Sequence, residues 1–221
     1  MPRRLRPTAP IAADAVLVGD PGRALLLAQE LLEEPKMSNH ARGLWGYSGQ
    51  TPGGRPLTIQ ATGIGGPSAA LVLADLAELG VRRAVRVGTC VGLEGAFALG
   101  DLLVVTEALA EGGSAAALGA APGEAVLPDP ELTARLVGEM GARARPAQVS
   151  SFDLHPGEHL PPAGAADMQS APLLARARSL GVEAAAVLIV AETSGGGVLD
   201  SEEIERAEKQ AGQAASAVLS S

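Results

Sequence analysis

Compact apolar runs alternate with runs of helical period along most of the chain. That alternation predicts an α/β domain with a largely parallel or mixed sheet. Ala15 to Val18 is an unbroken apolar run that stops at Gly19-Asp20-Pro21-Gly22, so a strand is expected there, then a helix from Arg23 to about Leu32. Strands over Leu44 to Ser48 and Leu57 to Ala61 flank Thr51-Pro52-Gly53-Gly54, a turn signal that joins them as a hairpin. After Gly63-Ile64-Gly65-Gly66-Pro67-Ser68, apolar residues at Leu71, Leu73, Leu76 and Leu79 predict a helix stopped by Gly80.

A strand over Val81 to Val87 is expected to run into a corner at Gly88-Thr89-Cys90, and another strand covers Leu102 to Thr106. The Gly- and Ala-rich stretch from Ala110 to Pro122 has no clear period and reads as a loop. A helix near Pro130 to Met140, a strand near Ala147 to Ser151 and a Pro/Gly-rich loop from Pro156 to Gly164 follow. The pattern closes with a helix over Leu173 to Leu180, a strong strand over Ala185 to Ala191 and a helix from Ser201. Asp200 and Glu203 form a capping-box pair at that last helix, whose stripe is Ile204, Ala207, Ala211, Ala214 and Val218. The 221 residues, without a composition break or internal repeat, suit a single domain over 1–221.

Composition narrows the function. Apolar residues make up 47% and charged residues 19%, which excludes a disordered tail, and no apolar run approaches bilayer-spanning length. Aromatics are 2%: Trp45, Tyr47, Phe97 and Phe152. The core is therefore built from Ala, Val, Leu and Ile, and a ring-binding site is short of stacking partners. A net charge of −8 argues against a nucleic-acid surface, which needs a basic footprint. Cys90 is the single cysteine, so an internal disulfide and a cysteine-rich zinc site are both excluded, as suits a reducing cytoplasm. Arg3, Arg4 and Arg6 precede no apolar core, and no signal peptide is expected.

Two expected strand-to-loop junctions carry an arginine among glycines: Gly19-Asp20-Pro21-Gly22-Arg23, and Arg86-Val87-Gly88-Thr89. Ligands of open α/β sheets collect at the carboxyl ends of strands, where backbone N–H groups and helix N-termini meet anions. The two corners read either as a phosphate cradle, with Arg as a bidentate fork and Thr89 as a further donor, or as ordinary turns bearing surface arginines. Neither matches a Walker A loop or a dinucleotide fingerprint.

With Val18 to Arg23, Arg42-Gly43-Leu44-Trp45-Gly46-Tyr47-Ser48-Gly49, Thr62 to Ser68 and Arg86 to Cys90 in this order, the chain resembles the purine nucleoside and uridine phosphorylases of the trimeric-to-hexameric type. The resemblance is strong over residues 15 to 110 and collinear from Val149 onward. It implies a three-layer α/β/α sandwich around a mixed, partly barrel-like sheet. It also implies attack of inorganic phosphate on C1′ of a nucleoside, with release of the base and a pentose 1-phosphate. Phosphate is then a co-substrate, and no cofactor or metal is assigned. Gly19, Arg23, Arg86 and Thr89 would hold it, and Arg42 would reach it from a neighbouring subunit. A homo-oligomer, either a dimer or a trimer of dimers, follows from that last role.

The sugar and base side departs from the family. Its Glu-Met-Glu segment, which grips the ribose hydroxyls, is collinear with Asp167-Met168-Gln169, and Gln169 lacks the charge that favours an electron-poor sugar. Glu192 stands where purine-specific members place an acidic proton donor, and reads either as that acid or as a solvated carboxylate. Val91 replaces a Gly after the Cys, and no N-terminal His precedes His40. The sugar- or base-packing aromatic falls at Leu154 or His155, while His155 and His159 face a base or decorate a loop. Glu158 and Leu160 stand where uridine-specific relatives read the pyrimidine edge, which weakens that specificity. Ile64, Cys90 and Val91 are expected to line the pocket, with Cys90 a small buried residue rather than a nucleophile. A hydrolytic nucleosidase and a diverged phosphate- or nucleotide-binding protein are the alternatives to a cytoplasmic phosphorylase.

Overall fold

The computed structural model describes residues 4–93, 95–156 and 164–220. Its strands are β1 (Asp14–Val18), β2 (Glu33–Asn39), β3 (Gly46–Gln50), β4 (Pro56–Ala61), β5 (Arg83–Gly92), β6 (Leu102–Ala110), β7 (Ala125–Val126), β8 (Ala144–Ser151), β9 (Ala165–Asp167) and β10 (Glu183–Thr193). Its helices are α1 (Pro21–Leu31), α2 (Gly65–Glu78), α3 (Gly113–Ala116), α4 (Pro130–Met140), α5 (Ser170–Leu180) and α6 (Ser201–Ser220). The strands form one mixed sheet in the order β10-β6-β8-β9-β5-β1-β4-β3-β2, with β7 beside β6. Because β10 also pairs in parallel with β5, one end of the sheet closes on itself as a small barrel and the other runs out as an open wing.

Period-two alternation explains why the central strands read as unbroken apolar runs. In β10, Ala184, Ala186, Leu188 and Val190 face a core shared with α2 and α5, where Leu73, Leu76, Leu173 and Leu174 are buried. Ala185, Val187 and Ile189 face the other way, onto Leu27, Leu132, Leu136 and Leu219 of α1, α4 and α6. Helices thus cover both faces, giving the expected three layers. No helix among the described residues is long and apolar enough to cross a membrane.

The structure departs from the sequence pattern in four places. β2 is absent from the predicted elements because Glu33-Glu34-Pro35-Lys36 is polar. It is an exposed edge strand whose pairing with β3 is broken by register shifts. β5 does not end at Val87 but continues through Gly88-Thr89-Cys90 to Gly92, held by β10 on one side and by β9 at its end. The stretch read as a loop from Ala110 contains the short helix α3, with Leu118 and Ala120 packed in the core, and is followed by β7. β9 is three residues long, too short to give a periodic signal.

Candidate active site

One cavity of about 360 Å³ opens where β1, β5 and β10 reach their carboxyl ends. At the end of β1, Gly19 lines it and Asp20 caps α1, its Oδ1 accepting the Arg23 N–H at 3.0 Å. The Arg23 side chain enters the cavity from the first turn of α1, and its Nε donates to Glu208 Oε1 on α6. Burial pushes the Glu208 carboxyl above its ordinary value, against the opposing pull of the Arg23 charge.

Arg86 approaches from β5. Ala84, Arg86, Gly88 and Cys90 share one face of that strand, so the guanidinium extends over Gly88; a Cβ there would overlap its Cζ and terminal nitrogens. Arg86 is 5% exposed and its Nη2 donates to Asp167 Oδ2 at 2.9 Å. Its Nε has no hydrogen-bond partner among the described residues. Desolvation is the main influence lowering its pKa, and the nearby positive charge of Arg23 adds to it, while Asp167 acts in the opposite sense. The buried Arg86 and the half-buried Arg23 thus bring two positive charges to one cavity, which is the electrostatic condition for an anion site.

Asp167 faces Arg86 rather than open solvent. Besides Arg86, its carboxylate accepts from Ser151 Oγ at 2.5 Å, from Ser170 Oγ at 2.8 Å and from the Ser170 N–H at 3.0 Å. Gln169 is likewise committed: Nε2 donates to the carbonyls of Gly63 at 2.6 Å and Gly65 at 3.3 Å, and Oε1 accepts from Thr62 Oγ1 at 3.3 Å. The amide ties α5 to the glycine corner before α2, where Gly63 and Gly65 take positive φ of 76° and 79°.

On the β10 side, the strand carries a bulge at Ala191, where the register with β5 shifts between Val190 and Glu192. The bulge brings Glu192 onto the cavity wall. From the loop after β8, His155 places Nε2 3.1 Å from Glu192 Oε2, with both side chains partly exposed. Thr89, Ile64, Val91 and Met168 also line the cavity, as does the buried Cys90. Burial first, and the Asp167 charge second, push the Cys90 thiol far above its ordinary value, which suppresses the thiolate a nucleophile requires.

Two expected site residues stand apart. Arg42 sits in a 3-10 turn between β2 and β3 with φ 61°, exposed and outside the cavity lining, and Leu154 is 79% exposed and also outside it. His159, Glu158 and Leu160 lie outside the described residues. Among the described residues, the wall carries no Phe, Tyr or Trp; His155 is its one aromatic ring. Phe152 spends its N–H on the Asp167 carbonyl and Phe97 lies under the Arg145 guanidinium. Glu208, Ser151 and Ser170 are the site residues that the sequence pattern does not single out. For Glu208 a signal exists: it is a carboxylate inserted between the buried positions Ala207 and Ala211 of an otherwise apolar helix stripe.

The model of the phosphorylase superfamily matches residues 14–221. A purine nucleoside phosphorylase DeoD-type of Caldanaerobacter subterraneus subsp. tengcongensis is 36% identical over 99 residues, spanning 44% of this chain and 42% of that protein. A second one, of Oceanobacillus iheyensis, is 43% identical over 81 residues, spanning 36% and 34%. The match thus covers less than half the length of these curated relatives. In fold, the chain superposes on a uridine phosphorylase from Vibrio fischeri ES114 with a TM-score of 0.85 and 21% identity, over 95% of this chain and 92% of the other.

Proposed function

Because the chain belongs to the phosphorylase superfamily, we propose that it cleaves the N-glycosidic bond of a nucleoside with inorganic phosphate, releasing free base and a pentose 1-phosphate. The observation that carries this reading is the buried Arg86, whose Nε has no partner among the described residues, sharing one cavity with the positive charge of Arg23. A phosphate dianion held by both guanidinium groups, with Thr89 and the Gly19 backbone as further donors, balances those charges and satisfies that donor.

Chemically the task is to move charge. As the glycosidic bond lengthens, the sugar becomes cationic and the base gains the bonding pair. Phosphate acts as nucleophile and counter-charge at C1′, while a proton from Glu192 meets the departing base. Asp167 acts on the phosphate side, fixing Arg86 through the network it shares with Ser151 and Ser170. Ile64, Cys90, Val91, Met168 and Gln169 form the wall against which sugar and base rest. An acid at the base end favours purines, whose N7 accepts a proton. Arg42 is assigned to the site of a second copy; its exposed turn is flanked by the part-exposed apolar Met37 and Trp45, as an intersubunit surface would be. The enzyme is thus a homo-oligomer, a dimer or a trimer of dimers, and a cytoplasmic one in keeping with its free thiol.

A panel of purine and pyrimidine nucleosides, followed by chromatography, is expected to release base only when phosphate is present. Release at an equal rate without phosphate establishes the second reading, a hydrolytic nucleosidase. One observation favours that alternative: both cavity arginines already pair with carboxylates, Arg86 with Asp167 and Arg23 with Glu208, which dilutes the positive charge available to phosphate.

A further inference from the structure

We infer that His155 is the proton source behind Glu192, so that the two side chains act as a relay which protonates the leaving base. This rests on the phosphorylase reading and extends it to a residue that the phosphate chemistry leaves unused. The contact joins two separate elements. Glu192 is fixed by β10 at its bulge, where Glu192 also bridges to Val198. His155 is carried by the loop after β8, whose Phe152 N–H is tied to the Asp167 carbonyl. Nε2 and Oε2 stand 3.1 Å apart, which is hydrogen-bonding distance. Both residues, and Pro156 beside His155, line the same cavity as Arg23 and Arg86.

The partial exposure of the pair suits this work. His155 is 57% and Glu192 44% exposed at the side chain, so the imidazole exchanges protons with water while the carboxylate borders the cavity. A proton donor at the cavity needs a neighbour that resupplies it, and the imidazole, the more exposed of the two side chains, is placed to take protons from water and hand them to Glu192.

In the step, the C1′–N bond breaks and its electron pair goes to the base. The proton on the Glu192 carboxyl moves to the purine N7, and the proton on His155 Nε2 moves to Glu192 Oε2. A phosphate oxygen donates the pair that forms the new C1′–O bond, and water returns a proton to the imidazole. His155 is a positioning residue in this scheme, acting through Glu192.

The test compares two substrates that differ in their need for a proton. Inosine leaves as hypoxanthine only if N7 or an equivalent position is protonated, whereas 7-methylguanosine already carries positive charge on its imidazole ring and departs without that step. His155→Ala and His155→Gln are each expected to lower kcat on inosine by about 100-fold, the usual contribution of general-acid catalysis. On 7-methylguanosine both are expected to fall less than about fivefold, with the KM for phosphate unchanged for either substrate. His155→Gln matters because its amide still donates a hydrogen bond to Glu192 but passes no proton on. Full inosine turnover in His155→Gln overturns the relay, as does an equal loss on both substrates in His155→Ala. If the wild-type protein turns over neither purine nucleoside but cleaves a pyrimidine nucleoside with phosphate present, the relay falls and the phosphorylase reading stands; if no nucleoside of either kind is cleaved, the phosphorylase reading itself falls and takes the relay with it. Turnover of 7-methylguanosine alone by the wild type overturns the relay and leaves the phosphorylase reading standing.

Discussion

Gly88 is fixed by its neighbour two residues back. The Arg86 guanidinium lies where a Cβ on Gly88 would be, and Arg86 is held from the other side by Asp167. Gly88→Ala must expel the guanidinium or bend β5, and overpacking of a filled interior costs about 1–3 kcal/mol. The expected result is a melting temperature lowered by several degrees together with a rise of at least about tenfold in the KM for phosphate, read by calorimetry and steady-state kinetics. Unchanged phosphate kinetics would remove Arg86 from the anion site. The sequence pattern placed Gly88 at a corner rather than inside β5, so this close approach, which needs Arg86 and Gly88 on one face of a strand, emerged only in the structure. Asp167 shows the opposite case. Its position matches an acidic residue of the resembling family, but which way its carboxylate turns depended on Ser151, Ser170 and Arg86, brought together by separate elements.

α6 brings charge into the site from outside the motifs. Its stripe of Ala207, Ala211, Ala214 and Val218 is buried against α1, α4 and the sheet, as its period predicts, and Asp200 caps it by accepting the Glu203 N–H at 2.8 Å. Glu208, next to that stripe, is thereby carried to Arg23. Its folded-state pKa lies above the unfolded value of about 4.5, so the folded form binds the proton more tightly. The stability linked to that proton is fully present below about pH 4.5 and is lost as pH rises through the raised folded value. Glu208→Gln removes this titration. The stability of the variant relative to wild type, from denaturant unfolding across pH 4 to 8, is expected to increase with pH above about 4.5. A difference that stays flat over this range contradicts the assignment. Element boundaries were legible where a cap or a full turn marks them, as at α4, where Asp129 precedes Pro130 and accepts the Leu132 N–H at 2.9 Å. They were not legible for β2 and β9, an edge strand with polar residues and a strand of three residues, because neither carries a hydrophobic period.

At the scale of the whole molecule, the site is assembled from remote segments by the closing of β10 onto β5. That pairing sets Arg86 and Glu192 on one cavity and leaves Arg42 exposed on the wing, at the turn between β2 and β3. If Arg42 serves a neighbouring copy, then Arg42→Ala and Glu192→Gln, each impaired alone, complement each other when mixed after dissociation and reassembly. One site of the mixed pair then carries both defects and the other carries none. Recovered phosphorolysis in the mixture is the expected outcome, and a rate equal to the average of the two variants shows that Arg42 does not serve the neighbouring copy's site. The sequence by itself determined the α/β alternation, the junction after Val18 and the cap of the last helix, because these depend on spacing along one strand or across one turn, whereas its phosphate-cradle reading came through family resemblance and its corner at Gly88 lies inside β5. Only the tertiary structure decided the carboxylate partners of the two arginines, the commitment of Gln169 to backbone carbonyls and the meeting of His155 with Glu192. Those contacts join residues from 37 to 185 positions apart, and long-range pairings of that kind leave no local period for a sequence to display.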